Sequence, residues 1–302
     1  MSNYKVQILM STYNGSVFIR KQLDSIMAQD YPVSLLIRDD GSTDDTVSII
    51  KEYEEKYNNI SHVCGDNIGV VSSFFELFNM ADESADMFAL CDQDDIWFPD
   101  KVGRAVKCVA GMDAKKPGMY CSAQTLVDAE DNILDVAMKK VTIRPGFGNS
   151  LVENIATGCT CMINKTLLEI AKAKPEYTIM HDWWLYMIAS SLGNVYYDTE
   201  PTMYYRQHGN NTMGTRTNYI DEFKVRVKRF TGNKGKLYRQ IQCYNGLHGN
   251  SLSPQNKSIL NLMLGYRKNI KCRLKCMFGN KVYRQRPIDN LIFKVLFLSN
   301  HI

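Results

Sequence analysis

A chain of 302 residues can bury a large core, and a hydrophobic share of 45% beside 23% charged residues is the balance of an ordinary soluble globular protein. The net charge of +4 hides an asymmetry: residues 1–216 carry 19 Lys+Arg against 29 Asp+Glu (−10), and residues 217–302 carry 17 against 3 (+14), so two parts with different tasks are expected. No apolar run approaches the roughly 18 residues of a spanning helix, and the start, MSNYKVQILMSTYNG, has no basic segment leading into a long apolar one, so the expectation is of no signal peptide and a cytoplasmic location.

The first hundred residues alternate strand and helix patterns. KVQILM reads as a strand, and 17–29 as a helix with Ile19, Leu23, Ile26 and Met27 on one face. SLLIRDD ends a second strand. A helix is expected over 43–57, opened by Ser42 or Thr43, with Asp44 and Asp45 suited to its positive end. NISHVC is a short third strand, 70–80 a third helix and DMFALC a fourth strand. This alternation predicts an α/β protein with helices on the faces of a largely parallel sheet, where ligands gather at the carboxyl ends of strands.

The polar residues fall on those ends. Ser11, Thr12, Tyr13 and Asn14 follow strand one, Asp39 and Asp40 end strand two, and Asp92, Asp94 and Asp95 follow strand four in CDQDDIW. DDGSTDD alone would read as a turn and helix cap, but three polar ends at one edge point to a ligand. Carboxylates this close repel one another unless a cation or a set of donors faces them, which makes a bound metal the first expectation.

Farther along, MYCSAQTLVD and ATGCTCMIN read as strands, DAEDN as a turn, KTLLEIAKA as a short helix and IMHDWWLYMIASSL as a markedly apolar helix; NVYYD and TMYYRQH read as two further strands. The nine cysteines, odd in number and scattered, suit reduced, buried thiols. Neither Cys159 with Cys161 nor Cys272 with Cys276 has the CxxC spacing of a structural zinc site. Residues 217–302 read as basic helices. Their Leu, Ile, Phe and Met at helical spacing beside Lys and Arg suit an amphipathic surface on anionic lipid, or a helical region packed on the core with a solvated basic face; nucleic-acid binding is the less fitting use of that charge.

In this order and spacing, STYNG, DDGSTDDT, DQDD and the HD that opens a later helix resemble an inverting family 2 glycosyltransferase of GT-A fold, over residues 4–212. CDQDDIW, TGCTCMIN, HDWW and YRQHGNNTMG further resemble its bacterial rhamnosyltransferase-like branch. The resemblance implies a Rossmann-like mixed sheet, a catalytic domain over 1–216 and a basic helical region over 217–302. It implies a nucleotide-sugar donor, dTDP or UDP linked and foremost dTDP-L-rhamnose, and a glycan or lipid-linked acceptor of cell-surface polysaccharide synthesis at the inner membrane face. Asp39 would accept the ring N–H of the base, Thr12, Tyr13 and Asn14 would line base and ribose, and Asn67 with Gly69 would form a turn near the donor. Asp92 would reach the ribose or the metal shell, and Asp94 would hold Mg²⁺ or Mn²⁺ at the diphosphate, with His208 as a further metal ligand and Arg206 as an alternative cation. Asp182 would be the catalytic base.

Support roles fall to Asp95, as a cap of the helix near Pro99 or an orienting group, and to Trp97, packed beneath the site or against an acceptor. Trp183 and Trp184 offer an acceptor platform or a core pair. The same frame could use a UDP-hexose, and a non-enzymatic membrane- or polyanion-binding protein would need only the basic region. A dinucleotide oxidoreductase would need GxGxxG after strand one, where STYNG stands.

Overall fold

The computed structural model describes residues 4–134, 142–207 and 235–298. It contains two compact units that interleave along the chain instead of meeting at residue 216: one comprises residues 1–135, 156–174 and 194–212, the other 136–155, 175–193 and 213–302.

The first unit holds one eight-stranded mixed sheet. β1 (Val6–Thr12), β2 (Val33–Asp39), β3 (Ile60–Cys64) and β4 (Met87–Cys91) run parallel; β5 is Ile96–Trp97, β6 Gly118–Val127, β7 Met162–Asn164 and β8 Asn194–Arg206. Their spatial order is β3-β2-β1-β4-β7-β6-β8-β5, antiparallel where β7 meets β4 and β6 and where β5 meets β8. Strand side chains alternate between faces. Val6, Ile8 and Met10 of β1 join one core with Ile19, Leu23 and Ile26 of α1 (Ile19–Met27), Ile49 and Ile50 of α2 (Thr46–Lys56) and Val102 and Val106 of α4 (Lys101–Ala110). Leu9, Leu36, Phe88 and Leu90, of the opposite parity, are buried as well, with α3 (Val70–Met80) packed on β1 and β2. Both faces are therefore covered, which is why these strands read as continuous apolar runs.

Three elements differ from expectation. α2 starts at Thr46, not near residue 43, because Ser42, Thr43 and Asp44 are engaged with the loop after β1. Only Met162–Asn164 of ATGCTCMIN is strand; Gly158–Thr160 forms a turn of 3₁₀ helix before it. NVYYD and TMYYRQH form the single strand β8, whose pairing with β6 shifts register around Ser122–Thr125, opposite Pro201, a residue with no N–H to give to a ladder.

In the second unit, α5 (Phe147–Ser150), α7 (His181–Leu192), α8 (Lys236–His248), α9 (Pro254–Gly265), α10 (Ile270–Phe278) and α11 (Pro287–Leu298) are helical; α6 (Lys165–Ala171) belongs to the first unit. The core includes an aromatic cluster: Trp184 stands edge-on to Tyr244 at 5.4 Å, with Phe147 5.7 Å from Tyr244. The Ser253 hydroxyl caps α9 by accepting from the Asn256 N–H at 3.2 Å, with Pro254 in the first helical turn, where its missing N–H costs nothing. Among the described residues no helix is long and apolar enough to cross a membrane. None of the nine cysteines is in a disulfide.

Candidate active site

The register of the parallel strands assembles the first part of the site. β1 lies between β2 and β4, with Thr12 opposite Asp39 and Met10 opposite Cys91, so three polar loops leave the sheet side by side. Side chains then lace them together. Asn14, at φ 47°, accepts from the Thr43 N–H at 2.8 Å and gives its own N–H to the Ser42 hydroxyl at 2.8 Å. Asn is one of the few residues other than glycine that adopts this backbone readily. Gly15 N–H donates to the Thr46 hydroxyl at 2.8 Å, and Ser16 N–H to Asp44 at 3.1 Å. Burial works to raise the Asp44 carboxyl, but hydrogen bonds from Thr46 and Ser16 bring it down to about 2.

Asp39 is 1% exposed and holds its own turn. One carboxylate oxygen accepts the N–H groups of Gly41 (3.1 Å) and Ser42 (2.8 Å), the other the Ser42 hydroxyl (2.5 Å). Gly41 sits at φ +81°, and a Cβ there would lie 3.3 Å from the backbone of Asn67 and Gly65, so the turn needs glycine. Asp40 pairs with the Arg38 guanidinium and accepts the N–H groups of Ile68 and Gly69 (2.9 Å to Gly69), fixing the turn that carries the exposed Asn67. Tyr13 is 45% exposed beside Thr12, which is buried.

Gln93 joins the loop after β1 to the acidic loop after β4. Its Oε1 accepts the Thr12 hydroxyl at 2.6 Å and the Tyr13 N–H at 2.8 Å, while its amide donates to the Tyr13 carbonyl at 3.1 Å. Asp92 and Asp94 are half-buried. Asp95 is 1% exposed, and its Oδ2 has no hydrogen-bond partner. Burial, then the charges of Asp94 and Asp92, push the Asp95 carboxyl well above the usual carboxylate range. Ligand atoms of Asp92, Asp95 and Cys159 lie within 4.8 Å of one another, with Asp94 alongside in the chain. Crowded carboxylates with a buried, unpartnered oxygen fit a divalent cation, and the oxygen donors suit Mg²⁺ or Mn²⁺.

The supporting residues take particular places. Asp95 does not cap the following helix; α4 begins at Lys101, preceded by Asp100, while Asp95 accepts the Arg206 N–H at 3.2 Å. Trp97 is buried in the sheet core with the Lys101 ammonium 4.7 Å from its ring centroid, a packing position. Arg206 is buried too. Its Nε–H donates to the Asp94 carbonyl at 2.8 Å, Nη1 donates to the carbonyls of Asp128 and Ala129 at 3.1 Å and pairs with Asp131, and the guanidinium lies 4.6 Å from the Phe18 ring. It brackets the acidic turn, where the motifs led to the expectation of an alternative cation to His208. His208 lies outside the described residues.

In the second unit, Asp182 occupies the first turn of α7, is buried, and accepts the N–H of Trp183 at 2.6 Å. Burial alone pushes the neighbouring His181 imidazole down to about 3, so His181 is neutral near pH 7. Trp184 is fully buried in the aromatic cluster, which rules it out as an acceptor platform. Trp183 is half-buried, its indole N–H donating to the Ser150 carbonyl at 2.6 Å.

Sequence reasoning missed Gln93, the roles of Arg38 and Asp40, and the tie by which Arg206 joins the DAEDN turn, read correctly as a turn, to the acidic turn. Gln93 stood inside CDQDDIW, but an amide among carboxylates carries no signal of its own.

The polar ends of β1, β2 and β4, laced over a cation-fitting acidic turn, are accompanied by a match of residues 7–168 to the family described as Glycosyl transferase family 2. The chain belongs to glycosyl transferase family 2. Its similarity extends beyond that span: it is 33% identical over 248 residues to the dTDP-rhamnosyl transferase RfbG of Shigella flexneri, covering 76% of this chain and 81% of that protein. Among solved structures of this fold, S. aureus TarS 1-349 in complex with UDP-GlcNAc superposes with a TM-score of 0.57 at 14% identity, covering 98% of this chain and 89% of the other. The mannosyltransferase PcManGT from Pyrobaculum calidifontis, in complex with GDP-Man and Mn²⁺, gives a TM-score of 0.56 at 16% identity, covering 98% and 86%. The architecture of this family 2 transferase is thus the GT-A fold its motifs predicted.

Proposed function

We propose that this glycosyltransferase transfers L-rhamnose from dTDP-L-rhamnose, with inversion, to a glycan or lipid-linked acceptor of cell-surface polysaccharide synthesis at the inner membrane face. The observation that carries the donor is the 33% identity to a dTDP-rhamnosyl transferase over three quarters of the chain. The site is compatible with it. Asp39, pre-set by its own turn, is the candidate acceptor for the thymine ring N–H. Thr12 and Asn14, with the exposed Tyr13, would line base and ribose, and the turn bearing Asn67 would close over the donor. Asp92, Asp94 and Asp95 would hold Mg²⁺ or Mn²⁺, which when bound would neutralise charge on the departing diphosphate. His208 keeps its proposed role as a further ligand.

Asp182 is the proposed base. Its carboxylate takes the proton of the acceptor hydroxyl as that oxygen bonds to the anomeric carbon, while the bond from that carbon to the diphosphate oxygen breaks with its electron pair leaving on the diphosphate. Residues 1–216 would supply donor chemistry and 217–302 the membrane-facing charge; the helix of Asp182, however, packs within the second compact unit.

The test is thermal stabilisation by a panel of nucleotide sugars with and without Mn²⁺, followed by transfer with Asp182→Asn. Stabilisation by dTDP-rhamnose above UDP-hexoses and GDP-mannose supports the donor; preference for a UDP-hexose overturns it. Intact transfer by Asp182→Asn removes Asp182 as base.

A further inference from the structure

Helices α10 and α11 present apolar side chains where a surface helix ordinarily presents polar ones. Ile270, Leu274 and Phe278 recur at i, i+4 and i+8 of α10, share one stripe and are all exposed, Phe278 to 74%. Ile288, Leu291 and Val295 recur at i, i+3 and i+7 of α11 and are exposed likewise. Neither stripe is what docks its helix. Cys276 of α10 and Ile292, Phe293 and Phe297 of α11 are buried, the Phe297 ring lies tilted 4.4 Å from the Tyr266 ring, and the Lys294 ammonium donates to the Gly279 carbonyl at 3.2 Å. Each helix therefore has one apolar face inward and a second outward.

Charge accompanies the outward face. Lys271 and Lys275, four apart and exposed, border the α10 stripe, and Lys268 and Lys281 are exposed just beyond its ends. Residues 267–298 carry nine Lys+Arg against the single Asp289, a net +8. Helices of 9 and 12 residues are too short to span a bilayer but long enough to lie on one. A second copy of this chain would bring +8 against +8, and a purely polyanionic partner would leave Leu274, Phe278 and Leu291 in water.

We propose that the outward faces of α10 and α11 form a membrane-surface site for anionic phospholipid, the apolar stripes entering the boundary between headgroups and acyl chains and the lysines meeting lipid phosphates. This rests on the reading that transfer takes place at a membrane face, and it names the surface that would bring the enzyme there.

The test uses the full chain in co-sedimentation with vesicles of phosphatidylcholine alone or mixed with phosphatidylglycerol, at low and high salt. Binding should require phosphatidylglycerol and weaken with salt. Each lysine at an anionic surface contributes about fivefold, so Lys271→Gln with Lys275→Gln should weaken binding roughly 30-fold. Leu274→Ser with Phe278→Ser, and separately Leu291→Ser, should weaken it without altering stabilisation by nucleotide sugars, the check that the variants fold. Unchanged vesicle binding by these variants overturns the site. So does a dimer in sedimentation velocity that the serine variants dissociate, which would make this face an interface between copies. A parent chain that binds no vesicle while nucleotide sugar stabilises it fails the membrane site alone; a parent chain that binds vesicles but gains no stability from any nucleotide sugar fails the transferase reading alone.

Discussion

Replacing Arg206 by methionine keeps the length and most of the buried stem but removes every guanidinium contact. Three backbone carbonyls, of Asp94, Asp128 and Ala129, lose their donor, and the ring of Phe18 loses its cation. Asp131 loses one of two cationic partners but keeps Lys21 and is 30% exposed, so water compensates part of that loss. At about 1 kcal/mol for each hydrogen bond and about 1 kcal/mol for the cation–ring contact, with little assigned to Asp131, the expected loss is about 3–5 kcal/mol. That is a large fraction of a typical domain's stability and corresponds to a fall of roughly 6–20 °C in melting temperature. Arg206→Lys restores the charge but cannot reach several acceptors with one fork, and should recover less than half of the loss. Thermal and urea unfolding followed by circular dichroism measure both variants, and Mn²⁺-dependent stabilisation reports whether the acidic turn keeps its shape. If Arg206→Met unfolds within 1 kcal/mol of the parent, or responds to Mn²⁺ as the parent does, Arg206 is not the bracket of this turn.

Gln93→Leu cuts the three hydrogen bonds joining the loops after β1 and β4. It should cost about 1–2 kcal/mol, reduced from three full bonds by partial exposure, and raise the donor dissociation constant severalfold in calorimetric titration. The Asp44 carboxyl lies lower in the folded protein than in the unfolded chain, so its contribution is fully present above the unfolded value near 3.8 and is lost as pH falls through about 2. Asp44→Ala should lower stability slightly at pH 7, a small effect because the group is largely exposed, and its urea-unfolding curves should converge with those of the parent as pH falls from about 4 through about 2. A Cβ at Gly148 would stand 1.7 Å from the Lys281 carbonyl oxygen, so Gly148→Ala must move backbone and should destabilise by about 3 kcal/mol. Gly246→Ala, inside α8 with nothing within 4 Å, should be neutral or slightly stabilising in the same denaturation assay.

The sheet and the identity of its loaded edge were legible because apolar runs and polar strand ends are local signals: β1 to β4 and α3 fall where their periodicity puts them. The start of α2 was not, because a helix signal in STDDT lost to hydrogen bonds with Asn14, Gly15 and Ser16, which lie about thirty residues earlier. Trp184 and Arg206 show the same limit. An aromatic or a cation near a motif reads as a ligand-facing group, and only tertiary packing reveals that Trp184 meets Tyr244 and that Arg206 turns inward to carbonyls. Asp95 was legible as an acid and not as a buried one, since burial depends on Cys159 and Arg206, both distant in sequence.

The interleaving of the two units bears on how this protein could be shortened. α7, which carries Asp182, takes its contacts from residues beyond 235: Gln240 accepts the Ile179 N–H at 2.7 Å just before the helix, Asn256 donates to the Ser191 carbonyl at 2.8 Å, and Tyr244 covers Trp184. A polypeptide ending at residue 216 would retain the whole sheet and the loops proposed to hold the donor, yet strip this helix of its neighbours. Such a fragment should still bind nucleotide sugar while failing to transfer, and the basic tail would prove indispensable for a reason unrelated to its charge.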